Sequence, residues 1–233
     1  MTVPTLHLVE DVPATLAAIA VASQRRLGRL RYASSGAAGG RACIEALVAS
    51  PLDWSSVDLF LVDERCVGTD SVDRNDRMIA EALGDHLDEL AGFHPMDCNA
   101  GPASYEEELR ATGRLDLVQL GVGPDGHTAS LFPASPALSA SETRFVTRNE
   151  DPAGNNAHER MTLTFSGIAH ARLAVVTVFG AAKHDILTRL VEGEDLPAAH
   201  VSAQKLAWLV DAAAAGDLPT APLPADLVPG GTP

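Results

Sequence analysis

The chain has 233 residues, a length suited to one large α/β domain, and its 46% hydrophobic against 21% charged residues supplies a substantial core. A formal net charge of −14 sets a repulsive long-range field against nucleic acid and anionic membranes, so neither is expected as a partner. The apolar runs stay far below the roughly 20 residues that a membrane-spanning helix requires, and the opening MTVPTLHLVEDV lacks both a basic leader and an apolar core with a cleavage site, so a cytoplasmic location is expected.

Along the chain, helical and strand-like signals alternate, the pattern of a parallel sheet covered by helices. Residues 11–27 carry apolar residues at helical spacing, with Pro13 in the first turn and Gly28 just past the end. Strands are predicted at 29–33, 57–62, 115–120, 161–165, 173–179 and 206–210, several of them continuously apolar, as befits strands buried on both faces. Between them helices are predicted at 41–49, 75–83, 105–112 and 181–191, the third with Ser104 and Glu107 at capping-box spacing. Residues 142–159 contain DPAGNN and read as a mobile loop. From Gly216 onward five prolines and three glycines interrupt any regular element, giving a single α/β domain over 1–215 and a surface tail over 216–233. Cys43, Cys66 and Cys98 are odd in number and form no CxxC pair, so they read as reduced residues, neither a disulfide framework nor a zinc site.

In open α/β sheets ligands bind beyond the carboxyl ends of the strands, so the segments that follow each strand carry the functional signal. After 115–120 comes GVGPDGHTAS, a tight glycine turn that brings Asp125 and His127 to the rim, with a short helix expected just beyond to aim backbone N–H groups at an oxyanion. An isolated DGH reads as a surface loop; the full ten-residue string points to chemistry. After 57–62 comes Asp63-Glu64-Arg65, in which Arg65 offers a planar fork for phosphate or carboxylate and Asp63 or Glu64 offers an acceptor for sugar hydroxyls. After 29–33 comes Ser34-Ser35-Gly36-Ala37-Ala38-Gly39-Gly40 ahead of a helix, an arrangement of backbone N–H groups that suits phosphate or serves simply as a flexible connection. Lys183, one of only two lysines, opens the helix after 173–179, and Arg160 begins the strand at 161–165 as a second cation or a salt-bridge partner.

GPDGHTASLFP at 123–133 and VDER at 62–65, supported by RNDRMIAEAL at 74–83 and ERMTLT at 159–164, make the chain resemble the 6-phosphogluconolactonases over nearly all of residues 5–215. It is more distantly similar to the glucosamine-6-phosphate deaminases, whose DEY-like and GHIAFNEP-like strings it lacks. The resemblance implies a Rossmann-like three-layer α/β sandwich with a mostly parallel central sheet, as in the deaminase-like fold. It implies hydrolysis of a small-molecule sugar-phosphate lactone without a metal or other cofactor, by a monomer or small homo-oligomer. His127 would be the principal acid/base residue and Asp125 its assistant. Arg65 and Lys183 would contact the phosphate or nearby oxygens, Ser35 and Gly36 would open the turn that wraps it, and Arg160 would be a second substrate cation. The usual turn is close to SGGSTP, and two phosphate-donating hydroxyls are missing here, each worth about 0.5–1.5 kcal/mol. The alternatives are a deaminase or isomerase acting on an amino-sugar phosphate, which would release ammonia from glucosamine-6-phosphate, and a non-catalytic sugar-phosphate sensor.

Overall fold

The computed structural model describes residues 3–227. The first half of the chain alternates strands and helices: β1 (Leu6–Leu8), α1 (Val12–Leu27), β2 (Leu30–Ser34), α2 (Ala37–Val48), β3 (Val57–Leu61), β4 (Asp63–Arg65), α3 (Asn75–Leu83), β5 (Gly92–His94) and α4 (Pro102–Thr112). The second half adds β6 (Leu117–Leu120), β7 (Val146–Asn149), β8 (Arg160–Leu163), α5 (Phe165–Ala169), β9 (Leu173–Val178), α6 (His184–Val191), β10 (Lys205–Val210), α7 (Ala212–Ala215) and β11 (Thr220–Ala221). Eight strands form one sheet in the order β11-β1-β10-β9-β6-β2-β3-β5, and the described pairings within it are all parallel. The expected α/β sandwich with a central parallel sheet is therefore present. From β2 the chain runs outward to β3 and β5, then returns through β6 and builds the other half, so the order reverses between β2 and β6. That switch point leaves a crevice at the strands' carboxyl ends.

Local chemistry explains where the elements begin. Asp11 caps α1 by accepting the Ala14 N–H at 2.9 Å, and Gly28 ends it in the left-handed conformation. α2 starts at Ala37, inside the glycine-rich turn and four residues ahead of the predicted start, because no residue from Ala38 to Arg41 prevents helical backbone once Gly36 and Ala37 have turned the chain. α4 starts at Pro102, where a missing N–H costs nothing, so Ser104 and Glu107 lie within the helix and make no capping box. The predicted 181–191 helix divides into a 3-10 turn, Ala181–Lys183, and α6. Tyr32, Phe60, Leu16 and Ile44 are among the fully buried side chains of the continuous core between sheet and helices.

Several expectations are corrected. The segment predicted at 161–165 stands outside the parallel sheet: β8 pairs antiparallel with β4 on one side and β7 on the other, and the charged 63–65 segment is itself a strand. β7 occupies part of the expected 142–159 loop. Cys66 and Cys98 are joined by a disulfide, their Cα atoms 5.5 Å apart across 32 residues of sequence, and only Cys43 is free and buried. The fold brings together two cysteines whose spacing carries no such signal. Within the tail, Thr220–Ala221 adds a parallel edge strand against β1, which a prolyl-rich segment tolerates because edge strands leave half their backbone groups unpaired; residues 228–233 of the expected tail lie outside the described residues. No helix among the described residues is long and apolar enough to cross a membrane.

Candidate active site

A cleft of about 440 Å³ opens at the switch point, and most of the sequence-predicted site residues meet there: Ser35, Gly36, Asp63, Arg65, His127, Arg160 and Lys183 all line it. Asp125 sits directly behind His127, its Oδ1 2.5 Å from the imidazole Nδ1 and 3.2 Å from the His127 N–H. With Nδ1–H donating to a carboxylate, the proton-free nitrogen is Nε2, the one left for a reacting group. Burial pushes the Asp125 carboxyl up, but the hydrogen bond and charge of His127 outweigh it and leave Asp125 below its usual range. The ring packs edge-on against Phe132, centroids 5.1 Å apart, and lies so close to the turn that a Cβ at Gly123 would fall 2.1 Å from it. The glycine therefore makes room for the imidazole. No helix follows His127; the chain instead makes a tight turn in which Ala129 takes a left-handed φ of 48° and Leu131 N–H donates to Thr128 O. The expectation of a helix N-terminus at this point is thereby overturned.

The cationic wall comes from β4 and β8. Strand alternation sends Asp63 and Arg65 to the cleft and Glu64 the other way. Arg65 and Arg160 are register partners, both lining the cleft, and the Nε of each is buried without a hydrogen-bond partner. Arg160 keeps one bond, to Ala157 O at 2.9 Å, and Arg65 reaches Asp73 O. Burial lowers the basicity of the Arg160 guanidinium, Asp63 opposes that, and the Arg65 charge adds to it. Lys183 approaches from the opposite side: its Nζ donates to Val122 O at 2.6 Å, so it stands against the His127 loop, and burial lowers its pKa while the Asp125 charge opposes.

Glu64, expected to accept sugar hydroxyls, is completely buried away from the cleft, where its carboxylate accepts the N–H groups of Arg65, Asn75 and Asp76 at 2.7–2.8 Å. It holds the start of α3 against β4 instead. That junction places Asn75, which the sequence marks only as part of RNDRMIAEAL, in the cleft wall. Asn75 donates to Asp63 O at 2.9 Å and presses so near the turn that a Cβ at Gly36 would lie 1.9 Å from its Oδ1. Asp63 in turn accepts the Ser130 hydroxyl at 2.6 Å, tying the His127 turn to β4.

The glycine-rich turn faces the same space. Gly36 begins α2 without a side-chain cap, and Ala37 adopts φ 58°, a conformation rare for a residue with a Cβ. The first N–H groups of α2 are thus left for a ligand in the cleft, a natural anion site. Ser35 lines the cleft but spends its hydroxyl on Gln119 O at 3.0 Å.

A parallel α/β fold with a carboxylate-backed histidine, paired arginines and an open helix N-terminus at its switch point defines a class of enzymes acting on phosphorylated small molecules. Residues 5–209 match the family model described as glucosamine-6-phosphate isomerases/6-phosphogluconolactonase, and the chain belongs to that family. It is 34% identical to the 6-phosphogluconolactonase of Synechocystis sp. over 82% of this chain and 85% of that protein. It is 35% identical to the 6-phosphogluconolactonase of Mycobacterium tuberculosis over 74% and 77% of the two. Among solved structures, that of the 6-phosphogluconolactonase of Thermotoga maritima superposes with a TM-score of 0.74 at 26% identity, covering 89% of this chain and 99% of that one.

Proposed function

We propose that this chain hydrolyses 6-phospho-D-glucono-1,5-lactone to 6-phospho-D-gluconate, the lactonase step of the oxidative pentose phosphate pathway. The observation that carries the proposal is the His127–Asp125 pair, 2.5 Å apart, at the edge of a cleft that holds Arg65, Arg160 and Lys183. A lactone carbonyl is already electrophilic, so a positioned water, a base and an anchored substrate meet the demands of the reaction. Nε2 of neutral His127 takes a proton from the attacking water; the oxygen adds to C1, and the tetrahedral intermediate collapses as the imidazolium returns a proton to the departing ring oxygen. Asp125 fixes the tautomer and stabilises the transient imidazolium, a contribution of about 10²–10⁴-fold for a well-placed base. The phosphate is held by the open N–H groups of α2 and the nearby cations, so that remote binding energy aligns the carbonyl over His127.

A cytoplasmic setting, a monomer or small homo-oligomer and the absence of a nucleic-acid partner belong to the same proposal, the last supported by the −14 net charge. Incubation with freshly generated 6-phosphogluconolactone, corrected for the enzyme-free rate, tests it: rapid acid release is expected. Ammonia release from glucosamine-6-phosphate, with no lactonase activity, would replace it with the deaminase reading. Tight 6-phosphogluconate binding with no turnover would replace it with the sensor.

A further inference from the structure

We infer that Gln119 is a positioning residue for the phosphate end of the site. Its side chain is completely buried on β6, in a strand that is otherwise apolar. A buried amide is costly unless it is hydrogen-bonded, so its partners show what it is retained for. Oε1 accepts the Ser35 N–H at 2.9 Å, and Nε2 donates to Thr177 Oγ1 at 2.8 Å. The Gln119 backbone O accepts the Ser35 hydroxyl, and the Thr177 hydroxyl donates to Leu120 O at 3.2 Å. One side chain thereby links the end of β2, β6 and β9, neighbours at the point where the strand order reverses.

The consequence is geometric. Both donors of Ser35, its N–H and its hydroxyl, are committed to Gln119, so Ser35 enters the cleft as an anchored hinge and not as a free donor. Its peptide plane is fixed from below, which sets the direction of the amides that follow, from Gly36 into the first turn of α2. Residues 36–40 carry no side-chain donor and the Ser35 hydroxyl is already bonded, so a phosphate at this turn is left with those backbone amides, and their aim then decides affinity. The reacting end is spared, because His127 is oriented by Asp125 and Gly123, whereas the Gln119 side chain bonds to Ser35 and Thr177.

The inference rests on the lactonase reading, and kinetics on two substrates separate them. Wild type is expected to prefer 6-phosphogluconolactone to glucono-1,5-lactone; equal kcat/KM for the two would defeat the reading of the cleft. In Gln119→Met, KM for the phosphorylated lactone is expected to rise about tenfold, as loss of a buried hydrogen-bond partner implies, with kcat within about twofold. For the unphosphorylated lactone kcat/KM should change less than about twofold. Hydrogen exchange at the Ser35–Gly39 amides should accelerate whatever the substrate proves to be. Equal losses on both lactones, or unchanged KM and unchanged exchange, would overturn the inference. Should Gln119→Met fail to fold, Thr177→Val removes the Nε2 partner together with the hydroxyl's own bond to Leu120 O and leaves the Ser35 N–H to Oε1 bond in place; a smaller KM rise confined to the phosphorylated lactone is expected, and no rise overturns the inference. Ser35→Ala, which leaves the N–H to Oε1 bond in place, is expected to raise KM less than Gln119→Met, and the reverse order would make Ser35 a direct phosphate donor.

Discussion

Arg65 and Arg160 face each other across the antiparallel β4–β8 pair, two guanidinium groups at one register position, each with a buried Nε that has no hydrogen-bond partner. Like charges directly opposed on a sheet are destabilising, and unpartnered buried N–H groups add to the cost. An anion bridging the pair relieves both. Arg160→Met is therefore expected to weaken 6-phosphogluconate binding by about 10- to 100-fold and to flatten its salt dependence, while stability changes by less than about 1 kcal/mol because lost repulsion offsets the lost bond to Ala157. Calorimetric titration at two salt concentrations with a denaturant melt checks this. Unchanged affinity with a large loss of stability would make the pair structural.

In the proposed reaction Asp125 acts through His127. Asp125→Asn keeps the shape but offers an N–H where an acceptor is needed, favouring the tautomer that places the proton on Nε2. The expected result is a fall in kcat of about 10²-fold or more with little change in KM, measured by initial rates on the phosphorylated lactone. A KM effect without a kcat effect would assign Asp125 to binding.

Lys183 has a pKa lowered from the ordinary 10.5 by burial, with Asp125 opposing. The protonated amine is the form that attracts an anion, and its population falls at a lower pH than for an exposed lysine. Affinity for 6-phosphogluconate should thus decline as pH rises through that lowered value, beginning below 10.5. Lys183→Arg keeps the charge throughout this range and should hold the affinity level. Calorimetry between about pH 8 and 10 distinguishes the two, and an identical decline in both proteins would remove Lys183 from the anion site.

The Cys66–Cys98 bridge ties the segment just after Arg65 to the loop after β5 across 32 residues. Closing a loop of that size constrains the unfolded chain by about 3–4 kcal/mol. Adding a dithiol reductant should lower the denaturation midpoint of the wild type and leave Cys66→Ser unmoved. Equal midpoints for the wild type with and without reductant would show that the thiols do not pair in solution.

Much of this architecture was legible where local chemistry agrees with the fold. α1 is announced by Asp11, Pro13 and Gly28, and α3 occupies the predicted 75–83 because its periodicity is undisturbed. β4, β5 and β7 were not legible: they are short, carry charged or polar residues, and exist because partner strands complete their hydrogen bonds, a tertiary effect. The site divides in the same way. Strand ends identified His127, Arg65 and the glycine turn, and the cleft collects them. In the sequence, the charged triplet 63–65 conceals the strand alternation that turns its middle residue, Glu64, away from the cleft. Gln119 is one polar letter in an apolar strand, although a buried amide there requires partners and so carries information.

The comparison of wild type with His127→Ala decides whether His127 is the base of a lactone hydrolysis in which anchoring and chemistry are separable. Using freshly generated 6-phosphogluconolactone with the spontaneous rate subtracted, the variant should lose about 10²–10⁴-fold in kcat while binding 6-phosphogluconate within a few-fold of wild type. Wild-type turnover by His127→Ala would contradict the account.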